Sequence, residues 1–128
     1  MDNHFFDDEK LYRAVFPASR MPCFWKENGK LSSAALKDPK GLSVERGNYR
    51  NDTEVIYSMQ KDFTGNIVRL DVKQCREVNA VVVYLPTQRS EYHSEIHGNN
   101  TRRILSNTQA HALANQAVLI YKRPENVL

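Results

Sequence analysis

The densest group of chemically capable side chains is Glu91-Tyr92-His93-Ser94-Glu95-Ile96-His97, followed by Gly98-Asn99-Asn100 and by Arg102-Arg103. His93 and His97 stand four residues apart, the spacing by which a helix offers two imidazoles to zinc. The metalloprotease pattern HExxH, however, puts its glutamate next to the first histidine, and here Glu95 comes one position late. A third ligand would have to be His111, His4 or a cysteine, and nothing in the spacing selects among them, so no metal is assigned. His93-Ser94-Glu95 also matches the H-x-E half of the zinc-deaminase signature, but the P-C-x-x-C half should follow and no cysteine lies beyond Cys75. What remains is a polar segment in which Arg89, His93, His97, Arg102 and Arg103 are candidates to bind an anion. Arginine forks hold phosphate strongly and need no motif to do so.

Other nucleophiles and cradles are poorly supported. Ser32-Ser33 lack the G-x-S-x-G elbow, and Cys23 and Cys75 have no neighbouring cysteine or protease-type signature. Both cysteines read as buried or semi-buried thiols. Five glycines without a P-loop or GxGxxG run leave no phosphate cradle to place. Phe24, Trp25 and Tyr12 could stack bases, though aromatics beside a turn more often pack on a core.

The elements that must position these residues can be read from periodicity. Residues 1–8 form an acidic leader expected to be loosely held, and Leu11 to Phe16 a strand ended by Pro17, with Arg13 the odd residue in it. Glu27-Asn28-Gly29-Lys30 predicts a hairpin turn between Cys23-Phe24-Trp25 and Leu31 to Leu36. Leu42 to Glu45 alternates as a short strand. Asn51 to Gly65 reads as a helix, capped by Asn51 with Glu54 and closed by Gly65, that buries Val55, Ile56, Met59 and Phe63. Val68, Leu70 and Val72 alternate as a strand, and Ala80 to Leu85, apolar on both faces, predicts a central strand. Pro86 to Leu105 has no period and reads as a long loop, a class that is usually functional or disordered. Ser106 or Asn107 starts a last helix through Thr108 to Gln116; Val118 to Tyr121 closes as a strand, and the tail 124–128 should be loosely ordered.

Together these predict one α+β domain over residues 1–128, with a mixed or mainly antiparallel sheet of about five to six strands and two helices packed on it. The length and the 41% apolar and 26% charged fractions suit a folded globular domain rather than a disordered, collagenous or disulfide-stapled chain. The first ten residues lack the apolar core of a signal peptide, and Ala80 to Leu85 is too short to span a bilayer. The cytoplasm is thus the expected location, with no membrane partner. Net charge is +3, and because Asp2, Asp7, Asp8 and Glu9 outweigh Lys10, the rest of the chain is more basic than that figure. Such a balance is compatible with nucleic acid or nucleotide phosphate as a partner.

The strings LYRAVFP, FW, GKLSSAALKDPKGLSVERG and YHSEIHG resemble a family of small, functionally uncharacterised bacterial proteins, over most of the chain. No activity comes with that resemblance. The order of Arg13, the Ser32-Ser33 pair and Glu95 is similar to the ADP-ribosyltransferase superfamily and its toxin-like relatives, with an incomplete serine motif and looser spacing. That similarity implies NAD as cofactor: Arg13 on its pyrophosphate, Ser33 supporting the nicotinamide pocket, and Glu95, with His93 near it in sequence, at the oxocarbenium-like transition state. The expected function is a non-enzymatic binding module for a nucleotide, RNA or partner protein, using the His/Arg loop 86–105 and no cofactor. The alternatives are that NAD-dependent enzyme, or a purely protein-binding subunit such as one half of a toxin and antitoxin pair.

Overall fold

The computed structural model describes residues 1–124. Six strands, β1 (Lys10–Val15), β2 (Leu42–Arg46), β3 (Asn66–Asp71), β4 (Val81–Tyr84), β5 (His93–His97) and β6 (Val118–Tyr121), form one open sheet in the order β4-β5-β2-β1-β3-β6. Every pairing is antiparallel. Three helices, α1 (Asp52–Met59), α2 (Val72–Glu77) and α3 (Asn107–Gln116), complete an α+β fold, with short 3-10 helices at Pro22–Phe24 and Ser33–Leu36.

Alternation along the strands divides the core in two. Leu11 and Val15 of β1, Leu42 and Val44 of β2, Val68 and Leu70 of β3 and Ile96 of β5 face one way and pack with Val72 and Cys75 of α2 and Leu113 of α3. Tyr12 and Ile67 face the other way, beneath Val55 and Met59 of α1. This second cluster draws only on α1 with the Phe63 that follows it, β1, β3 and β6. On this face α1 packs chiefly over β1, β3 and β6, and Met59 and Phe63 reach the edge of β2 beside Ser43 and Glu45.

Each helix starts on a capping box: Asn51 with Glu54, Asp71 with Gln74, and Ser106 with Gln109. In each, two of the backbone N–H groups that a helix start leaves unpaired find side-chain acceptors. Only the first was read fully from sequence. The second turns the chain at Asp71, so Val72, expected in a strand, opens α2, which the sequence reading lacked altogether. Helix α1 ends at Met59, well before Gly65, which is not its terminator. A Cβ on Gly65 would stand 2.5 Å from the Val15 carbonyl oxygen, so the glycine serves the close approach of β3 to β1.

Further expectations are corrected. Val81–Tyr84 is an edge strand, half-buried throughout, not a central one. The stretch 86–105 is not one long loop, because β5 runs through its middle between β2 and β4. The Asn28-Gly29 turn is present, with Gly29 at φ 82° and Lys26 N–H donating to the Lys30 carbonyl at 2.8 Å, but its arms meet in a single bridge between Trp25 and Leu31 and its second arm coils into a 3-10 helix. The acidic leader is docked rather than loose: Phe5 is buried in the larger core, and Asp7 pairs with Arg76. Cys75 is buried, and burial pushes its thiol up to about 12, but Cys23 is exposed. The tail 124–128, expected to be loose, lies, apart from Pro124, outside the described residues. No helix among the described residues is long and apolar enough to cross a membrane.

Candidate functional site

Strand β5 turns the sequence H-x-E-x-H into one line of side chains. On a strand, residues two apart share a face, so His93, Glu95 and His97 all rise on the face that carries Tyr12 and Glu45, whereas a helix would have brought the two histidines together. At about 3.3 Å per residue the histidine Cα atoms stand roughly 13 Å apart, which removes the pairwise zinc geometry. Glu95 fills the gap and binds His97, with Oε1 2.8 Å from Nε2, both side chains 14% exposed. Among the described residues no three His, Cys, Asp or Glu side chains are grouped to hold a metal ion. Gly41, at φ 104°, lies against this pair; a Cβ there would come 3.0 Å from His97 Nε2 and closer still to Glu95 Oε1.

At the other end of β5, His93 sits in a different network. Its Nδ1 is 2.7 Å from the Leu85 carbonyl oxygen and its Nε2 is 3.3 Å from the Ser43 hydroxyl. Across the β2–β5 ladder Glu45 is the direct neighbour of His93. Glu45 is 6% exposed and accepts the Ser90 hydroxyl at 2.7 Å; burial raises its carboxyl above the usual range, and the Ser90 bond and the charges of His93 and Arg50 oppose that rise.

The three residues of the NAD reading do not converge. Tyr12 is registered with Glu45, and Glu45 with His93, so Arg13, next to Tyr12, leaves the sheet on the face opposite to Glu95. The Arg13 guanidinium is also engaged: it donates to the Ala35 carbonyl at 3.2 Å and to the Ser43 carbonyl at 2.9 Å, and its burial lowers its pKa. Ser33 opens the 3-10 helix on the Arg13 side. A pyrophosphate on Arg13 and a transition state on Glu95 would thus lie on opposite faces of the sheet.

The basic residues separate in the same way. Arg89 lies in the connection between β4 and β5, at the His93 end, whereas Arg102 and Arg103 lie in the turn beyond His97. That turn is closed by Gly98 N–H to the Arg103 carbonyl and Asn99 N–H to the Arg102 carbonyl. The Arg102 guanidinium lies across Gly98, where a Cβ would be 3.1 Å from Nη2 and 3.3 Å from Nε. From this seat Arg102 lines an open concavity of about 490 Å³, whose other walls are Asn79, Asn99, Ser106, Thr108 and Gln109, with Glu77 at one side. Gln109 fixes its floor: its amide donates to the Val78 carbonyl at 3.0 Å and to the Gly98 carbonyl at 2.8 Å, joining α2, β5 and α3. Sequence reasoning named Arg102 but missed Asn79 and Gln109, whose roles depend on α2, and missed Ser43 and Glu45, whose alternation was read only as that of a short strand.

The aromatics proposed for stacking are structural. Tyr12 is buried, which, with its hydrogen bond to Asp52 at 2.6 Å, raises its pKa, and the Trp25 indole N–H donates to the Phe16 carbonyl at 2.8 Å. Comparison with protein-family models, with curated proteins and with solved structures finds no match to this chain.

Proposed function

We propose that the chain is a binding domain for a phosphate-bearing ligand, a nucleotide or RNA, held in the concavity between β5, α2 and α3. The observation that supports this most directly is Arg102, which makes no ion pair or hydrogen bond to another side chain among the described residues and borders an open hollow of about 490 Å³ ringed by hydroxyl and amide side chains. That volume falls in the usual range for ligand sites. A guanidinium fork supplies the charge-assisted bonds that phosphate requires, and the hydroxyls of Ser106 and Thr108 and the amides of Asn79 and Asn99 are uncharged partners suited to ribose or phosphate oxygens. Asp7 and Glu9 are paired with Arg76 and Arg46 of the chain itself.

Binding of ATP and of a short labelled RNA, measured by fluorescence polarisation or calorimetry at low and physiological salt, tests this. Affinity should fall as salt rises, because phosphate contacts release counterions. Arg102→Ala should weaken binding by roughly ten- to a hundred-fold, the equivalent of a hydrogen bond to a charged group. Binding of neither probe, or binding indifferent to salt and to Arg102→Ala, would sink the reading.

A further inference from the structure

A second site, independent of the first, lies where β1 and β2 part. Their ladder holds Leu11 to Arg46 and Tyr12 to Glu45 and stops there, and the Arg13 guanidinium takes up the carbonyl of Ser43. The parting leaves a crevice of about 60 Å³ walled by Tyr12, Ala14, Met59 and Phe63, with Ser43, Glu45 and His93 at its edge. We propose that Ser43 is a nucleophile activated by His93 and that the crevice accepts the acyl group of a short-chain ester.

The proton positions follow from the partners. A carbonyl oxygen can only accept, so the His93 Nδ1 that meets the Leu85 carbonyl at 2.7 Å carries the hydrogen. The neutral ring then turns the Nε2 lone pair to Ser43, whose hydroxyl donates to it across 3.3 Å, a length usual before a substrate tightens the site. Nucleophile, base and a third group that orients the base are thereby in place, the third group being a main-chain carbonyl. Glu45 is registered directly beside His93, so the imidazolium formed during reaction has a carboxylate at its side. Ser43 is exposed, so a substrate can reach it.

The size of the crevice sets the substrate class. At about 60 Å³ it is a small crevice, and its apolar walls of Ala14, Met59 and Phe63 suit a short acyl chain rather than a long one. In the first step the Ser43 oxygen bonds to the ester carbonyl carbon while its proton passes to His93 Nε2. The tetrahedral adduct collapses by breaking the bond to the leaving oxygen, which departs as an alcohol with that proton, or as a phenolate where its own acidity suffices, in which case His93 releases the proton to solvent before the second step. In the second step water attacks the acyl-serine, gives a proton to His93, and expels the Ser43 oxygen, which takes the proton back; the acyl group leaves as a carboxylic acid.

The probe is p-nitrophenyl acetate, with release of p-nitrophenolate followed by absorbance and the acetylated peptide identified by mass spectrometry. The native chain should carry acetyl on the peptide containing Ser43, and the urea-unfolded chain should not. Ser43→Ala should abolish that label. His93→Gln should slow it on the order of 10²–10⁴-fold, the usual contribution of a general base. Ser33→Ala, which alters a serine outside the crevice, should react as the parent does. Absence of acetyl at Ser43, equal labelling of native and unfolded chains, or an unchanged rate in His93→Gln would overturn the proposal.

Discussion

Arg46 offers the sharpest test of how the leader is held. Its side chain is 3% exposed and that of Glu9 is 9%, with Nε to Oε2 at 2.7 Å and Nη2 to Oε1 at 2.8 Å, a two-pronged pair. The same guanidinium donates to the main-chain carbonyls of Asp2 and His4 and lies over the Phe5 ring at 4.1 Å. Arg46→Met keeps much of the apolar stem but leaves Glu9 buried without its counter-charge. Breaking a buried pair from one side costs about 3–5 kcal/mol, because the surviving charge is uncompensated. For a domain of this size that lowers the melting temperature by roughly 10–20 °C. Removing the charge as well, in the double variant with Glu9→Gln, should restore much of the loss, since the penalty lies in the lone carboxylate. Thermal and urea unfolding followed by circular dichroism measure both variants, and limited proteolysis of Arg46→Met should show new cleavage within residues 1–8. A loss below about 1 kcal/mol in the single variant, or a double variant no more stable than the single one, would refute the reasoning.

Two further outcomes follow from the face that carries Glu45 and Glu95. Burial raises the Glu45 carboxyl, so between its unfolded and folded values the folded chain holds more protons than the unfolded one, and this group's contribution to stability falls as pH rises through that window. Glu45→Gln, which does not titrate, should therefore gain stability relative to the parent at neutral pH and lose that advantage below about pH 4; a melting-temperature difference equal at both pH values would contradict it. Gly41→Ala should be strained twice, by its φ of 104° and by a Cβ driven against Glu95 and His97. Its melting temperature should drop and the His97 proton resonances should move, and an unchanged histidine spectrum would count against the contact.

The sequence made most of the elements legible because their signals are local. The alternation of Leu42 to Glu45, the capping pair Asn51 and Glu54, and the serine before α3 each act within a few residues, and each appears in the fold where it was read. The failures share a cause: the signal was ambiguous until a partner was known. Val72 continues the apolar alternation of Val68 and Leu70, yet the Asp71 side chain turns the backbone into α2 just there. The apolar run of β4 looks central because both faces are apolar, but an edge strand half-covered on each side has the same composition. Gly65 has the chemistry of a helix terminator and is required instead by the Val15 carbonyl of a neighbouring strand.

The functional residues show the same limit in a form that matters more. The spacing of His93 and His97 is four whatever the backbone does, but on a helix it would mean two adjacent imidazoles and on β5 it means two separate environments, one closed by Glu95 and one open to Ser43. Nothing in residues 86–105 announced a strand, because His, Ser and Glu are poor strand formers and β5 owes its conformation to the β2 and β4 ladders on either side. Once those ladders set the face, His97 finds Glu95 on its own strand while His93 takes Leu85 from β4's end and Ser43 from β2, fifty residues away. The same ladders carry Arg102 away from Arg89, so a run that reads as one basic patch becomes a guanidinium over an open hollow. A site assembled by register in this way leaves no motif in the chain, since its chemistry depends on which residues stand opposite one another and not on which follow one another.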